Sequence, residues 1–154
     1  MDADRHAIAQ VIVEDYDLPF SIVAPFRADH PLLGSLDPFV LAHSSKAGTL
    51  DMLINAGDWH DAVARRALSR GIAVFGSSAN RSLTGSKYRL ADIEPEIRAA
   101  AAIAIDGGTA RYANPEGKSS TIIDFRTFRL VRRGVCCDRL TTIFKDRFDI
   151  ALTD

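Results

Sequence analysis

Two short segments rich in hydroxyl groups are the parts of this sequence best suited to chemistry. Gly76-Ser77-Ser78-Ala79-Asn80 comes directly after the apolar residues 72–75, and Gly117-Lys118-Ser119-Ser120-Thr121 comes directly before the apolar residues 122–125. In open α/β sheets, ligands usually bind at the carboxyl edge of the strands. We therefore expect the two segments to line one pocket for an anionic or nucleotide-like ligand.

The first segment offers hydrogen-bond donors for phosphate. The hydroxyls of Ser77 and Ser78 and the side-chain amide of Asn80 can donate to phosphate oxygens, and backbone N–H groups of the turn can add to them. The same residue types also cap ordinary turns. A purely local role for these three residues therefore stays open.

The second segment would form the opposite wall of the pocket. Ser119, Ser120 and Thr121 carry hydroxyls, and Lys118 would bring its ammonium group near a phosphate. The alternative is an ordinary loop that enters a strand, where threonine is a favoured residue. The sequence thus predicts a ligand site with one cation beside several neutral donors.

Length and composition are typical of a globular protein with one domain over residues 1–154. The apolar and charged fractions, 47% and 25%, are ordinary, and the length is sufficient for a single core. The net charge of −1 indicates no general affinity for nucleic acid, so a basic site would have to be local. With no apolar run of membrane-spanning length and no visible secretory signal, we expect a cytoplasmic protein without membrane contact.

The residues that most often bind metals give no sign of a metal site. Cys136 and Cys137 are adjacent, which disfavours a bridge between them, and two sulfurs do not make a zinc site. They are typical of reduced thiols in a cytosolic protein. The four histidines show no ligand spacing to one another. The sequence therefore predicts no protein-bound metal.

Apolar patterns indicate the elements that would position these segments. Helical spacing predicts helices at residues 58–70, 92–102 and 140–148. Short apolar or β-branched runs predict strands at residues 9–13, 20–24, 39–42, 49–54, 72–75, 103–105, 121–125 and 128–131. Because strands and helices alternate in the middle and a hairpin lies near the end, the fold class is α/β or α+β, with a mixed parallel and antiparallel sheet and flanking helices.

Three further side-chain roles follow from the same patterns. Trp59 lies on the apolar side of the helix that begins near Asp58, so we expect it to pack in the core. Leu140, Ile143, Phe144 and Phe148 share one face of the C-terminal helix and should face the core as well. Asp124 is expected to be structural, with its side chain tied to a neighbouring loop.

Five short motifs follow one another across the middle and end of the chain. They are Ser78-Ala79-Asn80, then Ser82 with Gly85, then Asp106-Gly107-Gly108, then Ser120-Thr121-Ile122-Ile123-Asp124, and finally Val131-Arg132-Arg133-Gly134. Each motif alone is weak, but their order and spacing form a fairly specific pattern. With them, the stretch from Thr49 to Val135 resembles the YrdC-like family, the threonylcarbamoyl-AMP synthases.

The resemblance implies both a fold and a reaction. The family has a twisted, mixed α/β sheet around a concave cavity. Its enzymes condense threonine, bicarbonate and ATP into threonylcarbamoyl-AMP and release pyrophosphate, and the product is used to modify an adenosine next to the tRNA anticodon. ATP, AMP, threonine and bicarbonate are therefore the expected ligands. Magnesium would enter with the ATP rather than through a carboxylate cluster of the protein.

The resemblance also adds an arginine to the predicted site. Arg132 corresponds to the family's arginine before a Pro-Gly pair, and a guanidinium can hold a phosphate with two hydrogen bonds. Arg133 stands where the family has proline, and strand alternation directs one of the two arginines to the pocket. We prefer Arg132, and the alternative is a solvated strand face. No catalytic residue is singled out. The implied nucleotide-binding residues are Ser77, Ser78, Asn80, Ser119, Ser120, Thr121 and Arg132, with Lys118 as a phosphate contact.

The sequence departs from the family pattern near its start. The family carries a Lys-x-Arg motif there that helps to hold the triphosphate, whereas the first lysine here is Lys46, and the N-terminal part is shortened relative to the family. Three hypotheses remain: a synthase, a non-catalytic YrdC-like module that binds a nucleotide or RNA, and an interaction protein that shares only the fold. A homodimer is a further expectation, since a shortened domain would expose sheet edges and apolar surface.

Overall fold

A computed structural model describes residues 1–82 and 84–154 of the chain. These residues form two compact units. The first unit combines Met1–Phe75 with Ser120–Asp154, and the second is Gly76–Ser119. The first unit contains all five strands of the sheet, whereas the second consists of loops and short helical segments.

The first unit is built on a five-stranded sheet of mixed direction. Its strands are β1 Phe20–Pro25, β2 Ser45–Lys46, β3 Thr49–Ile54, β4 Ile122–Asp124 and β5 Arg129–Arg132. Across the sheet their order is β2-β3-β1-β4-β5. β1 and β4 are parallel, and the other neighbouring pairs are antiparallel. The predicted mixed sheet is therefore confirmed, as are the predicted hairpin and the predicted strands at residues 20–24 and 49–54.

The described residues also form six α-helices. In chain order they are α1 Ala3–Tyr16, α2 Pro31–Gly34, α3 Pro38–Ser44, α4 Asp58–Leu68, α5 Pro95–Ala100 and α6 Cys137–Phe148. Of these, α5 lies in the second unit, where a single 3₁₀ turn, Leu90–Asp92, precedes it. The three predicted helices correspond to α4, α5 and α6. Within the described residues, none of the helices is long and apolar enough to cross a bilayer.

The core lies between one face of the sheet and helices α1 and α6. Phe20 and Ile22 alternate along β1 and are almost fully buried, together with Ile12 of α1 and Phe144 of α6. The predicted apolar face of the C-terminal helix is confirmed, since Leu140, Ile143 and Phe144 are buried and Phe148 packs against them. Beyond β5, Thr153 forms an isolated parallel bridge with Arg129.

The predicted strand at residues 9–13 is wrong, because these residues belong to α1. Asp2 caps the helix, and its carboxylate accepts a hydrogen bond from the backbone N–H of Arg5 at 2.9 Å. Ile8 and Ile12 are four residues apart and both face the core. The β-branched residues of this segment suggested a strand, but the cap and the buried helical face decide the structure.

The predicted strand at residues 39–42 is also wrong, since it forms most of α3. The Asp37 carboxylate accepts a hydrogen bond from Phe39 N at 2.7 Å, and Pro38 occupies the first helical turn, where its missing N–H costs nothing. One turn later, the ring of His43 stacks on that of Phe39, with 3.9 Å between the centroids. The helix cap again decides the structure, although the apolar composition of this segment suggested a strand.

Two further predicted strands, at residues 72–75 and 103–105, are wrong as well. Neither segment has strand structure, and Ile72, Val74, Ile103 and Ile105 are exposed. A strand needs a partner for its backbone N–H and C=O groups, and an apolar composition does not provide one. The first hydroxyl-rich segment therefore follows an exposed stretch without regular secondary structure and not a strand.

Trp59 does not pack in the core as predicted. Its side chain lies on α4, is 63% exposed, and no residue of that helix is buried. The helical spacing of the apolar residues predicted the helix correctly. The spacing could not show whether another element covers the apolar face of α4, because burial depends on elements distant in sequence. Within the described chain, no element covers it.

Candidate functional site

The turn before the second hydroxyl-rich segment is built around the side chain of Asn114. Its Oδ1 accepts a hydrogen bond from Lys118 N at 2.9 Å, and its Nδ2 donates to Lys118 O at 3.0 Å. Gly117 has a φ of +66°, a conformation that glycine adopts without steric cost. One side chain therefore holds both backbone groups of Lys118 in place. An asparagine followed by proline, with glycine two residues further on, is a turn signal that the sequence reasoning did not use.

This turn packs against the chain that follows the first hydroxyl-rich segment. A Cβ placed on Gly85 would lie 3.6 Å from Gly117 Cα, so the two backbones touch at a point where neither has a side chain. Ser86 N donates to Gly117 O at 3.0 Å, and the Tyr88 hydroxyl donates to Lys118 O at 2.6 Å. We call this contact the Gly85–Gly117 crossing. It brings together two motifs about thirty residues apart in sequence.

The hydroxyls of Ser77 and Ser78 are available for a ligand. Both residues are exposed, and neither side chain forms a hydrogen bond with a residue that the structure describes. Asn80 is half-buried, and its Nδ2 donates to Arg81 O at 2.7 Å. That bond fits the local turn role considered for Asn80, and it leaves the amide oxygen as an acceptor.

Lys118 and Ser119 are also exposed in the second unit. The Lys118 ammonium lies 3.7 Å from Glu116 Oε2, in an ion pair that is open to water on both sides. An exposed pair of this kind is weak, so it would compete little with a bound phosphate. The Ser119 hydroxyl forms no hydrogen bond within the described part of the chain.

Thr121, in contrast, is fully buried in the first unit. Its hydroxyl donates to Val135 O at 2.8 Å and accepts from Gly134 N at 3.1 Å. A hydroxyl has one proton to donate, and here that proton is used within the protein. Thr121 therefore fixes the start of β4 against the residues that precede α6.

Arg132 is anchored beside Ser120. Its Nε and Nη2 both donate to Ser120 O, at 3.0 and 2.8 Å, while the guanidinium stays exposed. The remaining N–H groups can donate to a ligand. Arg133 is engaged elsewhere, in a bidentate pair with Asp154, and these hydrogen bonds raise the pKa of Arg133. The structure thus leaves Arg132 as the available arginine of this pair.

A carboxylate and a hydroxyl that the sequence reasoning missed lie on the same face of the sheet as Arg132. Ser21 is the parallel neighbour of Ile122, which is in turn opposite Arg132, and Val23 is opposite Asp51. Because side chains alternate along each strand, Ser21, Asp51 and Arg132 point away from the core. A signal was present, since a polar residue stands between apolar ones in both β1 and β3.

Asp51 is electrostatically distinct. Loss of water around its carboxylate raises the pKa of Asp51, and this outweighs the lowering effects of the Ser21 hydroxyl and of the Arg132 charge. A carboxyl group that has a shifted pKa and lies near a cation is a candidate for ligand binding or proton transfer. This face of the sheet therefore combines an acid, a hydroxyl and a guanidinium.

The second unit contains a partly buried ion pair between Lys87 and Glu94. Lys87 Nζ lies 3.8 Å from Glu94 Oε1. Glu94 Oε2 is buried and has no hydrogen-bond donor within the described residues. A buried carboxylate oxygen without a hydrogen-bond donor lowers the stability of the folded state. Nothing in the spacing of the sequence pointed to this pair.

The candidate residues are thus divided between the two units. Ser120, Thr121 and Arg132 belong to the first, and Ser77, Ser78, Asn80, Lys118 and Ser119 to the second. Within the described residues, no group of three or more histidine, cysteine, aspartate or glutamate side chains is arranged to hold a metal ion. Comparison of the chain with protein-family models, curated proteins and solved structures gives no match.

Proposed function

We propose that this protein is a YrdC-like domain that binds an adenine nucleotide and makes threonylcarbamoyl-AMP from threonine, bicarbonate and ATP. The reaction would take place in the cytoplasm, where Cys136 and Cys137 stay reduced. The ordered motifs of the sequence and the mixed sheet with flanking helices are consistent with this family.

The observation that carries the proposal is the Gly85–Gly117 crossing. The segment after Ser78-Ala79-Asn80 and the segment before Ser120-Thr121 are far apart in sequence, yet they meet here. Here Gly85 and Gly117 touch, and the Tyr88 hydroxyl bonds to Lys118 O. The contact supports a shared role for Ser82-x-x-Gly85 and the hydroxyl-rich turn.

The free groups of the second unit suit phosphate. Ser77, Ser78 and Ser119 have hydroxyls without partners in the described chain, Lys118 provides a cation, and Asn80 orders the turn. In adenylate formation, an oxygen of the threonine-derived carbamate forms a bond to the α-phosphorus, and the bond to pyrophosphate breaks. The protein contributes mainly by positioning the reactants and stabilising charge. The serine hydroxyls and the Lys118 ammonium would both position the phosphates and stabilise their charge.

In the first unit, Arg132 is the proposed phosphate contact, and Ser120 and Thr121 are positioning residues. The Ser120 carbonyl holds the guanidinium of Arg132 by two hydrogen bonds. Thr121 fixes the same stretch of backbone through Gly134 and Val135. An arginine already oriented in this way loses less side-chain freedom when it binds an anion.

Pyrophosphate release provides the test. The purified protein with ATP and Mg²⁺ should release pyrophosphate only when threonine and bicarbonate are both present. Arg132→Ala should lower the rate about tenfold or more, because one charged donor is lost. The matched control is Arg139→Ala, at an exposed arginine of α6, which should keep the wild-type rate. A folded protein without threonine-dependent release would contradict the synthase assignment.

Nucleotide binding without turnover is the second candidate. It is favoured by one observation, that Thr121, a predicted nucleotide contact, is fully buried with its hydroxyl bonded to Val135 O and Gly134 N. In that case AMP and ATP should raise the melting temperature although no pyrophosphate is released. RNA binding would instead appear as a gel shift of tRNA that weakens with added salt. If neither nucleotides nor tRNA bind, the protein shares only the fold.

A further inference from the structure

The sheet face that points away from the core carries two opposite charges. Register and strand alternation place Asp51 of β3 and Arg132 of β5 on this outer face, with Val23 of β1 and Ile122 of β4 between them. Asp51 and Arg132 are exposed, whereas Val23 and Ile122 are half-buried. The outer face therefore has an acid on one side, a guanidinium on the other, and an apolar floor between them.

The two charged groups approach each other across the intervening strands. The Arg132 guanidinium donates twice to Ser120 O, so it lies over the residue that leads into β4. Hydrogen bonding by the Ser21 hydroxyl of β1 stabilises the Asp51 carboxylate. Ser120 comes two residues before Ile122, the parallel neighbour of Ser21, and strand spacing and rise put the two serines roughly 8 Å apart. This separation is comparable with the span of a nucleoside monophosphate from its phosphate to its ribose hydroxyls.

The Asp51 carboxylate has acceptor positions that the described protein does not use. An ionised carboxylate can accept about four hydrogen bonds, and among the described residues only Ser21 hydrogen-bonds to this one. Water is partly excluded from the remaining positions, which is the main reason that the pKa of Asp51 is raised. A ligand that donates hydrogen bonds here would replace the water that is lost.

We propose that Asp51 accepts hydrogen bonds from the ribose hydroxyls of the nucleotide whose phosphate binds Arg132, an assignment that rests on the proposed nucleotide site. Hydrogen bonds to a charged acceptor are the stronger kind, and acidic residues accept ribose hydroxyls in other nucleotide-binding folds. Val23 and Ile122 would lie beneath the sugar. Ser21 is a positioning residue, because its hydroxyl holds the carboxylate rather than the ligand. Asp51 would thus distinguish ribonucleotides from nucleotides that lack these hydroxyls.

The neighbouring charge selects a neutral donor over a cation. An ammonium group or a Mg²⁺ ion on Asp51 would be repelled by the Arg132 guanidinium, whose charge already acts on this carboxylate. Ribose hydroxyls carry no charge and are not repelled. The phosphate of the same molecule pairs with Arg132 at the other end. A ribonucleotide therefore satisfies both groups without bringing a second cation to the outer face.

The ribose hydroxyls can be removed from the ligand while its phosphate and base stay the same. AMP and 2′,3′-dideoxy-AMP, titrated calorimetrically into the full chain in the presence of EDTA, differ in these two groups alone. The wild type should bind AMP about tenfold or more tightly than the dideoxy analogue, because hydrogen bonds to a charged acceptor contribute more than neutral ones. EDTA removes divalent ions, so a metal bridge cannot cause this difference.

The affinity ratio of the two ligands isolates the ribose contact. Asp51→Ala should bring this ratio close to unity, whereas Arg132→Ala should weaken both ligands by the same factor and leave the ratio unchanged. The loss of a negative charge, or a merely structural role of Asp51, would alter both affinities together and cancel in the ratio. Glu14→Ala, which removes an exposed carboxylate of α1, is the matched control and should keep the wild-type ratio.

The possible outcomes separate this assignment from the nucleotide site itself. Wild-type discrimination that disappears in Asp51→Ala supports the ribose contact. A wild-type ratio near unity, an unchanged ratio in Asp51→Ala, or discrimination that needs Mg²⁺ overturns the contact but leaves the nucleotide site in place, since AMP still binds. If neither ligand binds, both proposals are overturned. The comparison of the two ligands on the wild type does not depend on the folding of any variant.

Discussion

At the scale of single residues, similar side chains serve different purposes because their surroundings differ. The hydroxyl of Thr121 is buried and bonded to Gly134 and Val135, whereas Ser77 and Ser78 have exposed hydroxyls without a partner in the described chain. The sequence shows a donor in each case, but not its neighbours. Residue type therefore predicted the candidate donors, and burial separates the structural one from the two that remain available.

Asp124 is the clearest case of a structural polar residue, and its predicted tie to a neighbouring loop is confirmed. Its carboxylate accepts hydrogen bonds from the backbone and side chain of Arg126, including one from Nη2 at 2.6 Å. The side-chain hydrogen bond with Arg126 is the main cause that holds the pKa of Asp124 below its ordinary value of 3.8. This pair closes the turn between β4 and β5.

Asp124→Asn should destabilise the protein by about 1–3 kcal/mol, because charge-assisted hydrogen bonds to Arg126 are lost. Since the folded state lowers the pKa of Asp124, its contribution is complete above pH 3.8 and is lost as pH falls through the lower folded value. Urea unfolding at pH 7 and below pH 4 measures both effects. The variant should show a smaller loss of stability on acidification than the wild type. An equal loss would contradict this account.

At the scale of elements, helix-capping residues predict the secondary structure better than apolar composition does. Asp2 and Asp37 each cap a helix where a β-branched or aromatic run suggested a strand. Conversely, residues 72–75 have a strand-like composition but no partner strand. Caps act within a few residues and can be read from the sequence, whereas strand pairing joins distant segments. Composition alone therefore could not distinguish β1 and β3, which pair with each other, from residues 72–75, which pair with nothing in the described chain.

The Gly85–Gly117 crossing yields a prediction for one element of the site. Gly117→Ala adds a methyl group at a φ of +66° and 3.5 Å from Gly85 Cα, which should cost about 1–2 kcal/mol. We expect a lower melting temperature and weaker AMP binding.

The matched control for that substitution is Gly107→Ala. It adds the same group where no atom lies within 4 Å and φ is ordinary, so stability and AMP binding should be unchanged. If both variants bind AMP as the wild type does, the crossing does not shape the nucleotide site.

At the scale of the whole molecule, stability is concentrated in the first unit. Phe144 of α6 is fully buried, and its ring lies 6.0 Å from Phe125, 5.7 Å from Phe128 and 5.9 Å from Phe148, measured between centroids. Such aromatic contacts add to the effect of buried area. The helical spacing of α6 predicted that Phe144 would face the core. Its aromatic partners Phe125 and Phe128, in the turn between β4 and β5, could not be inferred from that spacing.

Phe144→Ala should lower the free energy of unfolding by about 3–5 kcal/mol, because it leaves a cavity among these rings. For a domain of ordinary stability this is a large fraction of the total. Phe39→Ala is the control, since Phe39 is 67% exposed on α3 and its loss should change stability by less than about 1 kcal/mol. Denaturant unfolding followed by circular dichroism compares the two. Similar midpoints for both variants would place the stabilising core elsewhere.

The position of Thr153 beside β5 bears on how this sheet tolerates high concentration. Leu130 N donates to Thr153 O at 2.7 Å and Thr153 N donates to Phe128 O at 3.3 Å, so these two main-chain groups of that flank are already bonded. The opposite flank is β2, which is two residues long. Both features shorten the unsatisfied edges on which fibrils can grow. Crowded copies of this first unit should therefore meet through side chains and remain reversible in their association.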